Sequence, residues 1–306
     1  MTTATPATPA MSSSHRAAAR TAEAVVSTRR RKPLDPFRMV AFVILAVLAV
    51  AWLVPVLWAV LTSFKSEAEA AALPVRIIPE GGFTLDAYIQ TLSSSMVPRW
   101  AWNSLLTSTL VTVITVAISA LAGYALSRLR FAGRNVITML IVASIMIPGQ
   151  ILIVPLFQLM LSLNLVDTYW GIVLPQVVAA PMVFILKKFF DQIPIELEEA
   201  ALMDGASRLK IFWSIILPLS RPILGAVSIF VFIGAWNNFL WPFIVVNDAN
   251  LMTLPTGLQT VISAYGIQYA QNMAQAVLAA LPLIVVFLFF QRQIIKGIAT
   301  TGIAGQ

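Results

Sequence analysis

Few side chains in this chain can do covalent or metal chemistry. It has no cysteine and one histidine, His15, which lies in a low-complexity stretch. A disulfide, a thiolate metal site and a cysteine nucleophile are therefore excluded, and neither a His-based zinc site nor a Ser-His-Asp triad is supported. Two groups of polar residues remain. One is a run of carboxylates, Glu196, Glu198, Glu199 and Asp204, within residues 187–221. The other is a set of amides and indoles embedded in apolar sequence: Gln150, Gln176, Asn237, Asn238, Trp236 and Trp241. Polar groups in such surroundings are costly unless they are paired or face water.

The elements that hold these residues follow from composition. The chain has 306 residues, 59% hydrophobic and 11% charged, with a mean hydropathy of +0.86. A soluble domain carries about 25% charged residues, so an ordinary globular protein and a disordered chain are both excluded. A membrane-spanning helix needs about 20 apolar residues. Six runs qualify, near Val40–Leu61, Asn103–Leu126, Val136–Leu161, Tyr169–Leu186, Pro222–Val246 and Met273–Phe290. The third is interrupted by Pro148-Gly149. The fourth carries Pro175 and Pro181, the fifth Asn237, Asn238 and Pro242, and the sixth Pro282. The expected fold is an all-α polytopic membrane protein with six transmembrane helices.

With the N-terminus inside, every Lys and Arg except Lys65, Arg76 and Arg99 falls on an inner segment, as the positive-inside rule requires. The net charge of +7 then marks the inner face of a lipid bilayer and not a nucleic-acid site. Trp58, Trp102, Trp170 and Trp241 fall near the outer face as an aromatic belt. Residues 1–39, rich in Ala, Thr, Ser, Pro and Arg, read as a disordered basic tail.

The inner loop 187–221 reads as helix–turn–helix. Pro194 suits a first helical position, and Glu196, Glu198 and Glu199 complement the helix dipole. Gly205 suits a left-handed cap and Ser207 the start of the next helix. Leu209, Phe212, Ile215 and Ile216 form one apolar face, and Pro218 and Pro222 break the helix. This knob is too short to be a domain. Its apolar face lies on the membrane surface or plugs a pocket on a partner protein.

The string Glu199-Ala-Ala…Asp204-Gly205-Ala…Phe212…Ile215…Leu217-Pro218…Pro222 resembles the EAA loop of ABC importer permeases. Asn103-Ser-Leu, Gly123-Tyr-Ala-Leu-Ser-Arg-Leu-Arg-Phe131, Ile147-Pro-Gly-Gln150, Leu165-Val-Asp-Thr-Tyr-Trp-Gly171 and Trp236-Asn-Asn-Phe-Leu-Trp-Pro242 resemble the carbohydrate-type branch, in particular its maltose-type G permeases. The likeness covers about residues 40–300.

The resemblance implies a type I importer permease divided into a tail (1–39), a first membrane helix with outer loop (40–101), a permease core (102–295) with its coupling loop at about 190–222, and a cytoplasmic tail (296–306). It implies that Glu199, Ala200, Ala201, Asp204 and Gly205 dock on a cytoplasmic ATPase and that Leu217-Pro218 end the dock. Gln150, Gln176, Asn237, Asn238 and Trp241 become candidates for the substrate pathway, where amides bond sugar hydroxyls and an indole stacks on the ring.

No catalytic or metal-binding residue and no cofactor are expected in this chain. It has no Gly-x-x-x-x-Gly-Lys-Ser/Thr loop, and the resemblance implies that ATP and Mg are held by an ABC ATPase dimer. The other expected partners are a second permease and an external solute-binding protein, all at a bacterial or archaeal cell membrane with both termini cytoplasmic. The alternatives are a glycerol-phosphate importer of the same branch and an ion-coupled secondary transporter. The six runs hold no Asp or Glu for ion coupling and no clear Lys or Arg for a phosphate ester.

Overall fold

Pro148-Gly149 and the prolines at 175, 181, 218 and 222 decide how this chain crosses a membrane, because each withdraws an N–H or a side chain from a helix. The computed structural model describes residues 36–94, 96–264 and 268–303. His15, most of the expected 1–39 tail, Gly305 and Gln306 lie outside the described residues.

The chain divides into two units, Met1–Val56 and Leu57–Gln306. The first contributes the start of helix α1 (Pro36–Ser63), whose large apolar side chains, such as Phe42, Leu45 and Trp52, are exposed. The second holds the rest. Its elements are α2 (Glu67–Ala70), α3 (Asp86–Ser94), α4 (Val97–Arg128), α5 (Arg134–Ile145), α6 (Ile153–Ser162), α7 (Tyr169–Val173), α8 (Ala180–Asp191), α9 (Glu196–Met203), α10 (Arg208–Leu219), α11 (Arg221–Trp236), α12 (Leu240–Val245), α13 (Leu254–Ala264) and α14 (Tyr269–Ile303). There is no strand among the described residues.

Three helices are long and apolar enough to span alone: Phe37–Ser63, Val97–Arg128 and Tyr269–Gln291. Three bent pairs supply the others. Arg134–Ile145 and Gly149–Ser162 meet at 97°, Tyr169–Gln176 and Ala180–Asp191 at 48°, and Arg208–Leu219 and Arg221–Trp236 at 80°. Counting one crossing for each pair gives up to six by length and composition, the third pair crossing through α11 because α10 belongs to the inner loop. The fifth run differs from its sequence reading. Helix α11 ends at Trp236, with Asn237 as its cap, and α12 follows. The two asparagines thus sit at a break and not inside a continuous span.

Helix α4 organises the second unit. It packs on α8, α11 and α13, and α11 packs on α14. Gly123 sets the α4–α8 approach, since a Cβ there would lie 3.0 Å from the Lys187 backbone nitrogen and 3.3 Å from the Val183 oxygen. At one end of α4, Trp100 Nε1 donates to the Ala249 carbonyl and Asn103 Nδ2 to the carbonyls of Asn250 and Met252. At the other end lies the largest buried cluster: Tyr124 from α4, Leu186 and Phe190 from α8, Ile211, Phe212 and Ile216 from α10, and Ile223 and Val227 from α11. That cluster seats the knob.

Candidate functional site

Helix α9 forms because Glu196-Leu-Glu-Glu-Ala-Ala-Leu-Met203 is built almost wholly from strong helix formers, with acids in the first turn. It begins at Glu196, two residues after Pro194. It ends in a Schellman turn: Ala206 N donates to the Ala201 carbonyl at 2.9 Å and Gly205 N to that of Leu202 at 3.0 Å. This closure needs a left-handed residue, and Gly205 has φ +78°. Ser207 then caps α10, its Oγ accepting from Lys210 N at 3.3 Å.

Helix α10 is not regular. Residues Phe212–Ile216 form a π-helical turn just before Pro218, where the proline ring crowds the preceding carbonyls. Ile211, Phe212 and Ile216 are buried, with Ile215 packed beside them. Leu209, expected on this face, is 62% exposed. At 100° per residue it falls about 90° from the centre of the 211–216 face, and Ile211 takes the inward position instead.

The knob has two sides. Glu196, Glu199, Ala200, Asp204 and Gly205 are exposed, together with Met203, Leu209 and Trp213. Ala201 and Leu217 face the other way, partly buried against the core cluster. Pro218 is exposed in the last turn before the 80° bend. The residues expected to dock on a partner are therefore exposed, apart from Ala201 and Leu217, which attach the knob to the membrane helices. A groove of about 610 Å³ runs beside it, its lining including Arg128, Arg130, Phe131, Glu198, Glu199 and Arg208.

Glu198, expected only to complement the helix dipole, is buried and paired. Its side chain is 2% exposed, and its Oε1 lies 3.0 Å from Nε of Arg128, itself 7% exposed. The Nε–H does not point along that line, so charge attraction and not a directed hydrogen bond joins the two. Arg208 Nη1 approaches Oε2 at 3.6 Å from a half-exposed position. The Tyr124 hydroxyl lies 3.4 Å from Oε2, too far for a strong bond. Arg128 also spends Nη2 on the carbonyls of Phe190 and Ile193. One guanidinium thus ties the end of α4 to the end of α8 and to α9. A second tie lies nearby, with Asp191 accepting from Ser127 Oγ at 2.7 Å and Lys187 Nζ at 2.8 Å. The sequence does carry a signal for this. Glu198 lies three residues before Ala201 and four before Leu202, on the face that carries them inward, whereas Glu199 lies off it.

The proposed pathway residues separate into two groups. Asn238 Nδ2 donates to Gln176 Oε1 at 2.7 Å, and Gln176 Nε2 to the Ile172 carbonyl at 2.8 Å. Trp241 joins them, its indole N–H donating to the Gly171 carbonyl at 3.0 Å. Its ring is 6% exposed and packs on Met160, Ile172 and Val245. The face expected to stack on a sugar, or to anchor at an interface, is committed to packing. Asn237 and Gln150 are exposed, Asn237 at the α11 break and Gln150 in a 3-10 turn after Pro148. No group of three or more His, Asp or Glu side chains able to hold a metal occurs among the described residues.

The family described as binding-protein-dependent transport system inner membrane component matches residues 116–300. The chain is 37% identical over 269 residues to the arabinooligosaccharides transport system permease protein AraQ of Halalkalibacterium halodurans, covering 87% of this chain and 95% of that one. It is 34% identical over 264 residues to the trehalose/maltose transport system permease protein MalG of Thermococcus litoralis, covering 85% and 94%. A crystal structure of a bacterial ABC transporter that imports the acidic polysaccharide alginate has a chain of the same fold, with a TM-score of 0.77, 23% identity and 93% and 99% of the two chains covered. With its broken spans and the knob between α8 and α11, the chain belongs to the family of binding-protein-dependent transport system inner membrane components.

Proposed function

We propose that this chain is the transmembrane permease subunit of an ATP-driven, binding-protein-dependent importer of a sugar or oligosaccharide. The observation that carries the reading is the knob: Glu199, Ala200, Asp204 and Gly205 exposed on one side, Ala201, Leu217 and buried Glu198 fixed on the other. Such a surface suits a cleft on a cytoplasmic ATPase, with Glu199 pairing a basic residue there and Met203 and Trp213 adding apolar area. The sugar reading rests on the names of the relatives, and a neutral one on the lack of a clear Lys or Arg inside the membrane runs.

In this scheme ATP and Mg are held by the ATPase dimer, which supplies the driving force. This subunit does no covalent chemistry. Closure of the ATPases moves the knob, and the membrane helices rock between inward and outward access. A second permease completes the pathway and an external binding protein delivers the solute. Both termini and the knob lie on the cytoplasmic side of a bacterial or archaeal membrane. Asn237 and Gln150 are the amides free to meet a sugar hydroxyl, whereas Asn238, Gln176 and Trp241 shape the pathway wall.

The test is purification from native membranes in mild detergent, with mass spectrometry of everything retained, for wild type and for Glu199→Ala with Gly205→Pro. Retention of a second permease and an ATPase by wild type, with loss of the ATPase alone in the variant, is the expected result. A chain that purifies alone, under conditions that preserve other membrane complexes, overturns the importer reading.

A further inference from the structure

Buried charge is the part of this molecule that the docking surface leaves unused. Glu198 and Arg128 are both almost fully buried, at the inner wall of the groove beside the docking side. A buried ion pair adds little to net stability compared with a well-packed apolar pair, so its placement calls for another explanation.

The connections supply one. Arg128 is the last residue of α4, a helix of 32 residues and about 48 Å long at 1.5 Å per residue. Its guanidinium meets Glu198 in the knob and the Phe190 and Ile193 carbonyls that lead out of α8. Gly123 lets α4 and α8 touch backbone to backbone one turn earlier, and Ser127–Asp191 fastens their ends. Besides the long 3.4 Å approaches of the Tyr124 hydroxyl to Glu198 Oε2 and to the Arg208 carbonyl, the knob joins the spans through apolar contacts of Ile211, Phe212 and Ile216. Such contacts are not directional and let surfaces slide. The ion pair adds a fixed point at the place where α9, α8 and α4 converge.

We infer that Arg128 and Glu198 are positioning residues that lock the knob to helices α4 and α8 as one rigid body, so that displacement of the knob becomes displacement of the membrane helices. This inference rests on the importer reading and assigns Glu198 a role distinct from that of the exposed Glu199.

The test uses the assembled complex in lipid nanodiscs. The chain has no cysteine, so spin labels can be attached at Leu121→Cys on α4 and Glu196→Cys on α9, both exposed. Their separation is measured by pulsed electron resonance without nucleotide and with Mg-ATP plus vanadate, alongside ATP hydrolysis. Rigid coupling predicts that the wild-type distance is unchanged within about 1–2 Å, the scale of a helix shift at an interface. In Glu198→Gln, and separately in Arg128→Gln, nucleotide should shift or broaden the distance while the ATPase stays bound and active. A merely structural role predicts loss of assembly with no nucleotide-dependent change in distance, and that result overturns the inference. A wild-type distance that itself changes with nucleotide also overturns it, whether or not either variant folds. Wild type that retains no ATPase refutes the importer reading, and the link falls with it. Wild type that retains an ATPase, with variants that keep the wild-type distance, refutes the link alone.

Discussion

Glu198 and Glu199 are neighbours in the chain and occupy opposite environments: the Glu198 side chain is 2% exposed between Arg128 and Arg208, while Glu199 is exposed beside the groove. The two should fail differently. Glu198→Ala leaves Arg128 buried without its carboxylate, which costs on the order of 3–5 kcal/mol. Glu199→Ala removes an exposed side chain and should change stability by less than about 0.5 kcal/mol. Thermal unfolding of the purified variants in detergent measures the contrast. Equal midpoints would show that the buried pair is not sustained in the folded protein.

Gly205 makes a second stability prediction. At φ +78° an alanine would pay for a left-handed conformation with about 1–2 kcal/mol. Open space surrounds the missing Cβ, so the penalty is conformational and not a clash. Gly205→Asn, which tolerates that region better, should cost less than Gly205→Ala. Gly205→Pro should be the worst of the three, because it also removes the N–H that Leu202 accepts. An order in which Asn is no better than Ala would refute the left-handed cap. The readout is the midpoint of thermal unfolding for each variant.

Much of this architecture was legible because local rules acted alone. Pro148-Gly149 marks the 97° break, Gly205 the left-handed turn and Ser207 the next cap, each decided by a residue's own backbone chemistry. What failed depended on which way a side chain faces. Leu209 is expected on the inward face, which the helical period assigns to Ile211 instead. Trp241 reads as an interfacial indole until the fold brings Gly171 and Met160 against it. The inward face of α9 is readable at Glu198, but its partner Arg128 lies 70 positions away, so no local signal could reveal the pair. The exposed docking surface was readable as a string, whereas its anchor was not.

Asp167 gives a pH dependence outside the spans. It sits at φ +56° and accepts from the backbone N–H of Asn247 and from that of Asp248 at 3.0 Å. The Asn247 N–H bond is the largest influence on its carboxyl, and burial opposes it. The result is a pKa below the ordinary 3.8. A depressed carboxyl contributes its stability above the ordinary pKa and loses it as pH falls through the depressed value. Asp167→Asn keeps an acceptor oxygen and tolerates the same backbone region. It should therefore be less stable than wild type near neutrality, with the gap closing as the medium is acidified below the ordinary carboxylate range. Unfolding midpoints of the two proteins across an acid series test this. A gap that is constant with pH would show that the N–H bonds do not favour the charged form.

Asn238 and Gln176 decide between wall and ligand contact. Their amides meet at 2.7 Å across the breaks that follow α11 and α7, and Gln176 keeps a second bond to the Ile172 carbonyl. Interhelical polar pairs in membranes contribute about 0.6 kcal/mol on average and up to about 1.7. A double-mutant cycle of Asn238→Ala and Gln176→Ala should return a coupling in that range for unfolding. If the two residues shape the wall together, each single change should alter solute uptake about as much as the double change does, because either one breaks the same contact. Asn237→Ala should differ, with little effect on unfolding, since its side chain is exposed, but weaker uptake of a solute whose hydroxyl it meets. Independent, additive losses of uptake from Asn238→Ala and Gln176→Ala, with no coupling in stability, would instead mean that each amide meets the solute on its own.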